Sequence, residues 1–399
     1  MNSRNRFPAG GASAPAPRQR RLAWRLLAGV AALAAFAYAG TTVMDIPPPY
    51  RLYQLEVAEP SRRGELFPVR EVAAPAVPWA LPAQPEPPPA TVPWKGGQIA
   101  FDRFLELTHT NAFVILRDGK LAYEWYRPGV DARTPMSSWS MSKSLVSLLV
   151  GQAIARGKLR ESDRLVDLLP ELKTGGDYDK VTVRDLLDMR SGVFVAENYR
   201  PYWPFTGAAR MYLTRDLPGF IARNREMEFT PGSATAYRSV DTQLLGMALT
   251  RATGSNLADL LARDIWQPIG AERPASWNLD RAGGTEKAFC CVNATARDFA
   301  RVGQMLADQG YVAGRQVVPG AWVARIAAPV TTPLDGWGYS AQWWHRGPDD
   351  GEDYSAMGIY GQYTYVHPGR RVVIVKLSDH GAEQDERGTY DVFRAIARR

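Results

Sequence analysis

The apolar runs at the two ends of the globular stretch are short and bounded by turn residues, whereas those between recur at helical spacing. Ala112-Phe113-Val114-Ile115-Leu116 and Leu121-Ala122-Tyr123-Glu124-Trp125-Tyr126 flank Arg117-Asp118-Gly119-Lys120, which predicts a β-hairpin closed by an Asp-Gly turn. From about residue 150 to 310 the period is mainly helical, broken at Gly157, Gly175-Gly176, Gly192 and Pro231-Gly232. Residues 181–187 open one such helix, and residues 296–306 form another with Thr295 as N-cap. Strands return at 339–344, 360–366 and 371–377, with His367-Pro368-Gly369-Arg370 turning between the last two, and 389–397 closes as a helix. Consecutive strands joined by short turns pair antiparallel. The expected fold class is therefore α/β of the α+β kind: an antiparallel β-sheet flanked by helices, with a mainly helical insertion.

Two segments precede that domain. Residues 45–94 are dense in proline, which predicts a semi-rigid extended linker or wrapping arm and places the domain itself at 95–399. The first 25 residues are a basic segment carrying six arginines, and no acid occurs before Asp45. An uncharged apolar run, within residues 26–44, follows. A basic stretch before such a run reads as an export signal or a single inner-membrane anchor. Its length favours a retained anchor, although Ala37-Tyr38-Ala39 offers a cleavage site. Either fate puts the catalytic part in a bacterial periplasm, held at the inner membrane or released.

The formal net charge of +7 comes largely from that leader; without residues 1–44 the chain has 42 basic and 41 acidic residues. A nearly neutral domain gives no nucleic-acid surface. Cys290 and Cys291 are adjacent and expected not to bridge, since the geometry of a vicinal pair is strained. They and four scattered histidines (His109, His345, His367, His380) show no metal-ligand spacing and read as structural or surface residues. No cofactor is implied.

The chemistry centres on Ser140-Met141-Ser142-Lys143, the one S-x-x-K in the chain, which opens the apolar run 145–150. Positions three apart share a helix face. A serine hydroxyl needs a base, and a lysine can be that base when burial lowers its pKa toward neutrality. Alone, the pattern is also met by a solvated helix start. Tyr237-Arg238-Ser239 follows 97 residues later, and a tyrosine beside such a pair can pass protons between nucleophile and leaving group. Near the C-terminus, Ser355-Ala356-Met357-Gly358-Ile359-Tyr360-Gly361-Gln362 enters a strand with two glycines three apart, a sign of close approach to the backbone. An acyl-transfer site needs backbone N–H groups aimed at the developing oxyanion.

In order and spacing these elements resemble the serine β-lactamase and penicillin-binding-protein superfamily over residues 95–399. The resemblance is closest to its class C-like branch, which includes esterases and 6-aminohexanoate-dimer hydrolase. Residues 183–192, 293–298 and Gly361-Gln362 leading to the His367-Pro368 turn add to it. The resemblance implies that Ser140 is the acylated nucleophile, Lys143 its base and Tyr237 the tyrosine of a Y-x-N motif, with Ser239 where asparagine is usual. It implies oxyanion donors at the Ser140 and Ile359 N–H groups. Tyr199 falls where one group of relatives carries a tyrosine contacting the substrate amide; Ser239, Gly358 and Tyr360 complete the substrate-binding candidates.

One departure bears on substrate. Ala356-Met357-Gly358 stands where true β-lactamases carry Lys-Thr-Gly or His-Thr-Gly, so the cation that grips a substrate carboxylate is missing. Lys173-Thr174-Gly175 spells that motif in the wrong place, before Tyr237. The expectation is a serine hydrolase of a small ester or amide. A β-lactamase or D-Ala-D-Ala carboxypeptidase, and a membrane-tethered binding protein without turnover, are the alternatives. No G-x-S-x-G elbow of an α/β-hydrolase occurs.

Overall fold

Buried strands carry the architecture. The computed structural model describes residues 17–198, 205–329, 333–347, 352–380 and 385–399. Its main sheet comprises β1 (Thr110–Arg117), β2 (Lys120–Tyr126), β3 (Gly338–Ser340), β4 (Trp343–His345), β5 (Tyr354–Gly358), β6 (Gln362–His367) and β7 (Val372–Ser378). All neighbours are antiparallel, in the order β3-β4-β5-β6-β7-β1-β2. Two helices carry site residues, α1 (Met141–Ala155) and α2 (Ser239–Thr253), and two cover the sheet, α3 (Ala296–Ala307) and α4 (Glu386–Ala397).

Strand β7 is buried at every position because both faces of the sheet are covered. Val373, Val375 and Leu377 join one core with Phe299, Val302 and Leu306 of α3. Val372 and Ile374 join a second with Tyr390, Phe393 and Ile396 of α4. The period-two alternation thus sends neighbouring residues to opposite cores, so the strand reads as one unbroken apolar run. The β1–β2 hairpin forms as expected, with Asp118 (φ 49°) and Gly119 (φ 77°) both in the left-handed region of a type I′ turn.

Two expectations are corrected. The strand expected at 339–344 is two strands, β3 and β4, because Ala341 (φ 46°) and Gln342 (φ 68°) reverse the chain. No glycine marks this turn. It is held instead by the buried Gln342 amide, which donates to the Leu186 and Leu187 carbonyls and accepts from Thr242 Oγ1 at 2.6 Å. Cys290 and Cys291 are joined as a vicinal disulfide, in a buried turn where Cys291 takes a left-handed backbone (φ 75°). The larger compact unit runs from Gln54 to Arg399.

The proline-rich segment is accordingly an arm wrapped on the domain. Val69–Val72 pairs antiparallel with Ala275–Asn278, and residues 82–86 follow the outer edge of β2 through Leu121 N–H to Pro82 O, Gln84 N–H to Leu121 O and Glu86 N–H to Ala122 O. Proline lacks an N–H, so it is tolerated along such an edge where a central strand would exclude it. The helical region also contains a four-stranded sheet that strands of two to four residues left without a readable period: Val69–Val72, Ala275–Asn278, Val292–Ala294 and Met136–Ser137, in that order.

Within the separate unit that ends at Tyr53, a helix spans Pro17–Val43. Its Trp24–Val43 portion is 20 residues long and apolar enough to cross a membrane by length and composition.

Candidate active site

The short strand Met136–Ser137 aims the chain at the site. It pairs with Val292–Ala294, and Ser138 extends the grip: its N–H donates to Val292 O at 2.8 Å and its Oγ accepts from Val292 N–H at 3.0 Å. Trp139 then takes a left-handed backbone (φ 47°), unusual for a bulky residue and a sign of a conformation imposed by its surroundings. Ser140 follows at the start of α1. That helix is buried from Met141 through Ala153, which excludes the solvated-helix reading and explains its apolar residues on all sides.

Ser140 occupies the N-cap position, yet its hydroxyl makes no capping bond. It lies instead 3.0 Å from Lys143 Nζ and remains partly exposed, while Lys143 is 2% exposed. Lys143 Nζ also sits 3.1 Å from Ser239 Oγ and donates to the Phe289 carbonyl at 2.8 Å. Burial pulls the Lys143 pKa down to about 7, against the opposing pull of Glu197 and Asp241. A substantial neutral fraction therefore exists at physiological pH.

The first turn of α2 closes the far side. Tyr237, just before it, presents its ring face 5.1 Å from Lys143 Nζ and packs against Trp344 at 5.4 Å. Burial holds its phenol well above the ordinary range, so the hydroxyl keeps its proton and can relay one. Ser239 is buried; its N–H and Oγ both reach the Glu197 carboxylate, the latter at 3.1 Å. Burial raises the Glu197 pKa to about 6. Asp241, also buried, is pushed well above the usual carboxylate range, with Ser191 Oγ 2.6 Å from its Oδ1.

Strand β5 supplies the remaining wall. A Cβ on Gly358 would fall 2.7 Å from the Ser138 carbonyl, so glycine is what lets this strand approach the loop before Ser140. Ile359 lies immediately beyond β5. Among the described residues neither its N–H nor that of Ser140 donates a hydrogen bond to protein. Tyr360 is partly exposed, with its ring 4.7 Å from that of Trp139. Tyr199 lies outside the described residues. Lys173-Thr174-Gly175 forms an exposed turn, tied to Asp179 through the Thr174 and Gly175 N–H groups.

Ser140, Lys143, Tyr237 and Ser239 are thus brought together. Glu197 and the Phe289 carbonyl join them without having been expected. The carboxylate stood two residues from a suspected position, but nothing in its local pattern pointed to Lys143, and a backbone carbonyl leaves no mark in a sequence.

A serine hydroxyl held against a buried, near-neutral lysine at the head of a central helix, beside an antiparallel sheet, defines a serine hydrolase of the β-lactamase type. The chain belongs to the Beta-lactamase family, whose model matches residues 106–397. It is 30% identical over 342 residues to a 6-aminohexanoate-dimer hydrolase of Paenarthrobacter ureafaciens, covering 80% of this chain and 84% of that one. Esterase EstB of Burkholderia gladioli is 30% identical over 147 residues, 33% of this chain and 36% of the esterase. A solved structure named "Putative 6-aminohexanoate-dimer hydrolase from Bacillus anthracis" superposes with a TM-score of 0.75 at 23% identity, over 88% of this chain and 94% of that one, which bears on fold alone.

Proposed function

We propose that this hydrolase cleaves a small, linear amide or ester through an acyl-enzyme on Ser140, with Lys143 as base and Tyr237 as proton relay. The observation that carries the reading is the 3.0 Å contact between Ser140 Oγ and a lysine whose burial brings its pKa to about 7. Neutral Lys143 takes the Ser140 proton as Oγ attacks the carbonyl carbon, and the oxyanion forms against the Ser140 and Ile359 N–H groups. The proton passes by way of the Tyr237 hydroxyl to the departing nitrogen or oxygen as its bond to carbon breaks. Water then enters by the reverse route, its proton returning through Lys143 to Ser140 while the acid is released.

An amide or ester is favoured over a β-lactam by Ala356-Met357-Gly358, which offers no cation on the strand beside the nucleophile. The 6-aminohexanoate-dimer hydrolase similarity over most of both chains supports the linear amide within that choice. The arginine-rich leader and the apolar helix support a periplasmic catalytic unit, anchored at the inner membrane. The test is a substrate panel. Linear p-nitrophenyl esters and ω-aminoacyl amides should exceed penicillins in kcat/KM by about 100-fold or more; the reverse order would move the protein to the cell-wall alternative.

The pH profile is a second test. Activity needs Lys143 neutral, so kcat/KM should rise with pH through about 7 and level off above it. Ionised Glu197 stabilises the protonated lysine. Glu197→Gln removes that charge, so the acid limb should move to lower pH, though the two groups titrate as a pair. A limb that stays in place or moves upward would show that another group controls it.

A further inference from the structure

The arm reaches Trp139 and Tyr360, the chain neighbours of Ser140 and Ile359. Its short 3-10 helix, Pro60–Leu66, is pinned at three points. Trp139 Nε1 donates to Pro60 O at 3.0 Å; Ser61 N–H and Oγ donate to the two oxygens of Asp379 at 2.6 and 3.0 Å; Asn278 Nδ2 donates to Gly64 O at 2.8 Å. Gly64 fits so tightly that a Cβ there would fall 1.9 Å from Asn293 Oδ1. These contacts fix Arg63 between the two residues that adjoin the oxyanion donors in sequence. Its guanidinium stands 5.4 Å from the ring centre of Tyr360, which follows Ile359, and 6.0 Å from that of Trp139, which precedes Ser140.

The charge on this group is unspent. Arg63 Nη1 donates to Tyr360 Oη at 3.0 Å, Nε to Ala58 O at 3.1 Å and Nη2 to Glu56 O at 3.5 Å, all neutral acceptors. Among the described residues no carboxylate pairs with it, although most of the arginines around it in the domain have such partners. Three of its five N–H groups are used, which leaves two for a further acceptor. The side chain is partly exposed, so a ligand can reach it, and the flanking rings give it apolar walls that strengthen an ion pair.

We infer that Arg63 is the anion-recognition residue of this active site and that the preferred substrates carry a carboxylate in addition to the bond cleaved. This rests on the Ser140 reading above. The chemical class is an amide or ester that also bears a carboxylate, on either its acyl or its leaving part. The cation missing from Ala356-Met357-Gly358 is thereby supplied from outside the conventional strand, by a segment 77 residues before the nucleophile. An arginine fork suits a carboxylate better than a point charge does.

The test uses the full chain and two matched substrate pairs. One pair is p-nitrophenyl butyrate and mono-p-nitrophenyl glutarate, which differ by a carboxylate in the acyl part. The other is N-butanoylhexylamine and N-butanoyl-6-aminohexanoate, which differ in the leaving part. In Arg63→Gln the ratio of kcat/KM, anionic over neutral, should fall about tenfold in at least one pair, mainly through KM, and Arg63→Lys should recover part of it. In the wild type the same ratio should decline as salt is raised, and that decline should vanish in Arg63→Gln. Unchanged ratios in both pairs, or equal loss on both members of each, would overturn the inference and leave Arg63 as an anchor of the arm. If Arg63→Gln does not fold, the wild type decides: an anionic preference that salt abolishes supports the inference, and no preference overturns it. Absence of Ser140-dependent turnover of the neutral esters would defeat the functional reading, and this inference with it.

Discussion

Ser140→Ala is expected to remove turnover of every substrate, by about 10⁴-fold or more, while leaving the fold intact. The two halves of this expectation have separate causes. Ser140 caps no backbone N–H and is partly exposed, so its hydroxyl contributes little to stability, and thermal unfolding should stay within about 2 °C of wild type. In the proposed mechanism the same hydroxyl is the atom acylated, and among the described residues no other serine shares its position against Lys143: Ser239 also touches Nζ but is buried. Retained turnover in Ser140→Ala would require a different nucleophile and would end the mechanism.

Lys143→Ala should cost about 10³-fold in kcat with a smaller change in KM, because the base acts in the transition state rather than in binding. Its effect on folding is a balance. Truncation leaves the Phe289 carbonyl and two hydroxyls short of a partner, at about 1–3 kcal/mol for a buried group. It also removes an amine whose burial opposes ionisation, and that relief offsets part of the loss. Circular dichroism of the variant should be native-like. A near-normal rate would assign the proton transfer to another group, and the available candidate, Tyr237, keeps its own proton at neutral pH.

How much of this could be read from sequence depended on whether a residue's partners were local. Ser140 and Lys143 are one helical turn apart, so their meeting follows from helix geometry alone. The Asp118-Gly119 turn and the Thr295 cap were readable for the same reason; Thr295 accepts from the Asp298 N–H as a local rule requires. Tyr237 and Ile359 arrive from 97 and 219 residues away, and only resemblance to a family placed them. Glu197 reaches Ser239 from a loop without periodicity. The arm was legible only as one of two alternatives: proline density reads as an extended linker or a wrapping arm, and composition cannot say whether an extended chain lies in solvent or along the edge of β2. The vicinal disulfide departs from expectation for a related reason, since the left-handed backbone that accompanies it lies in the buried turn around Cys291.

The position of Arg63 recasts the missing third motif. Its absence argued for less charged substrates, while the arm carries beside Tyr360 an arginine that pairs with no carboxylate among the described residues. Substrate preference in this protein would then be set by a segment that contributes nothing to the acylation chemistry.

The central claim is that Ser140 becomes acylated, and intact-protein mass spectrometry after brief exposure to a p-nitrophenyl ester tests it most directly. The mechanism predicts a mass increment of one acyl group that maps to the peptide containing Ser140 and is absent in Ser140→Ala. Burst release of p-nitrophenol with no protein-bound acyl group, or an increment that persists in Ser140→Ala, would contradict it.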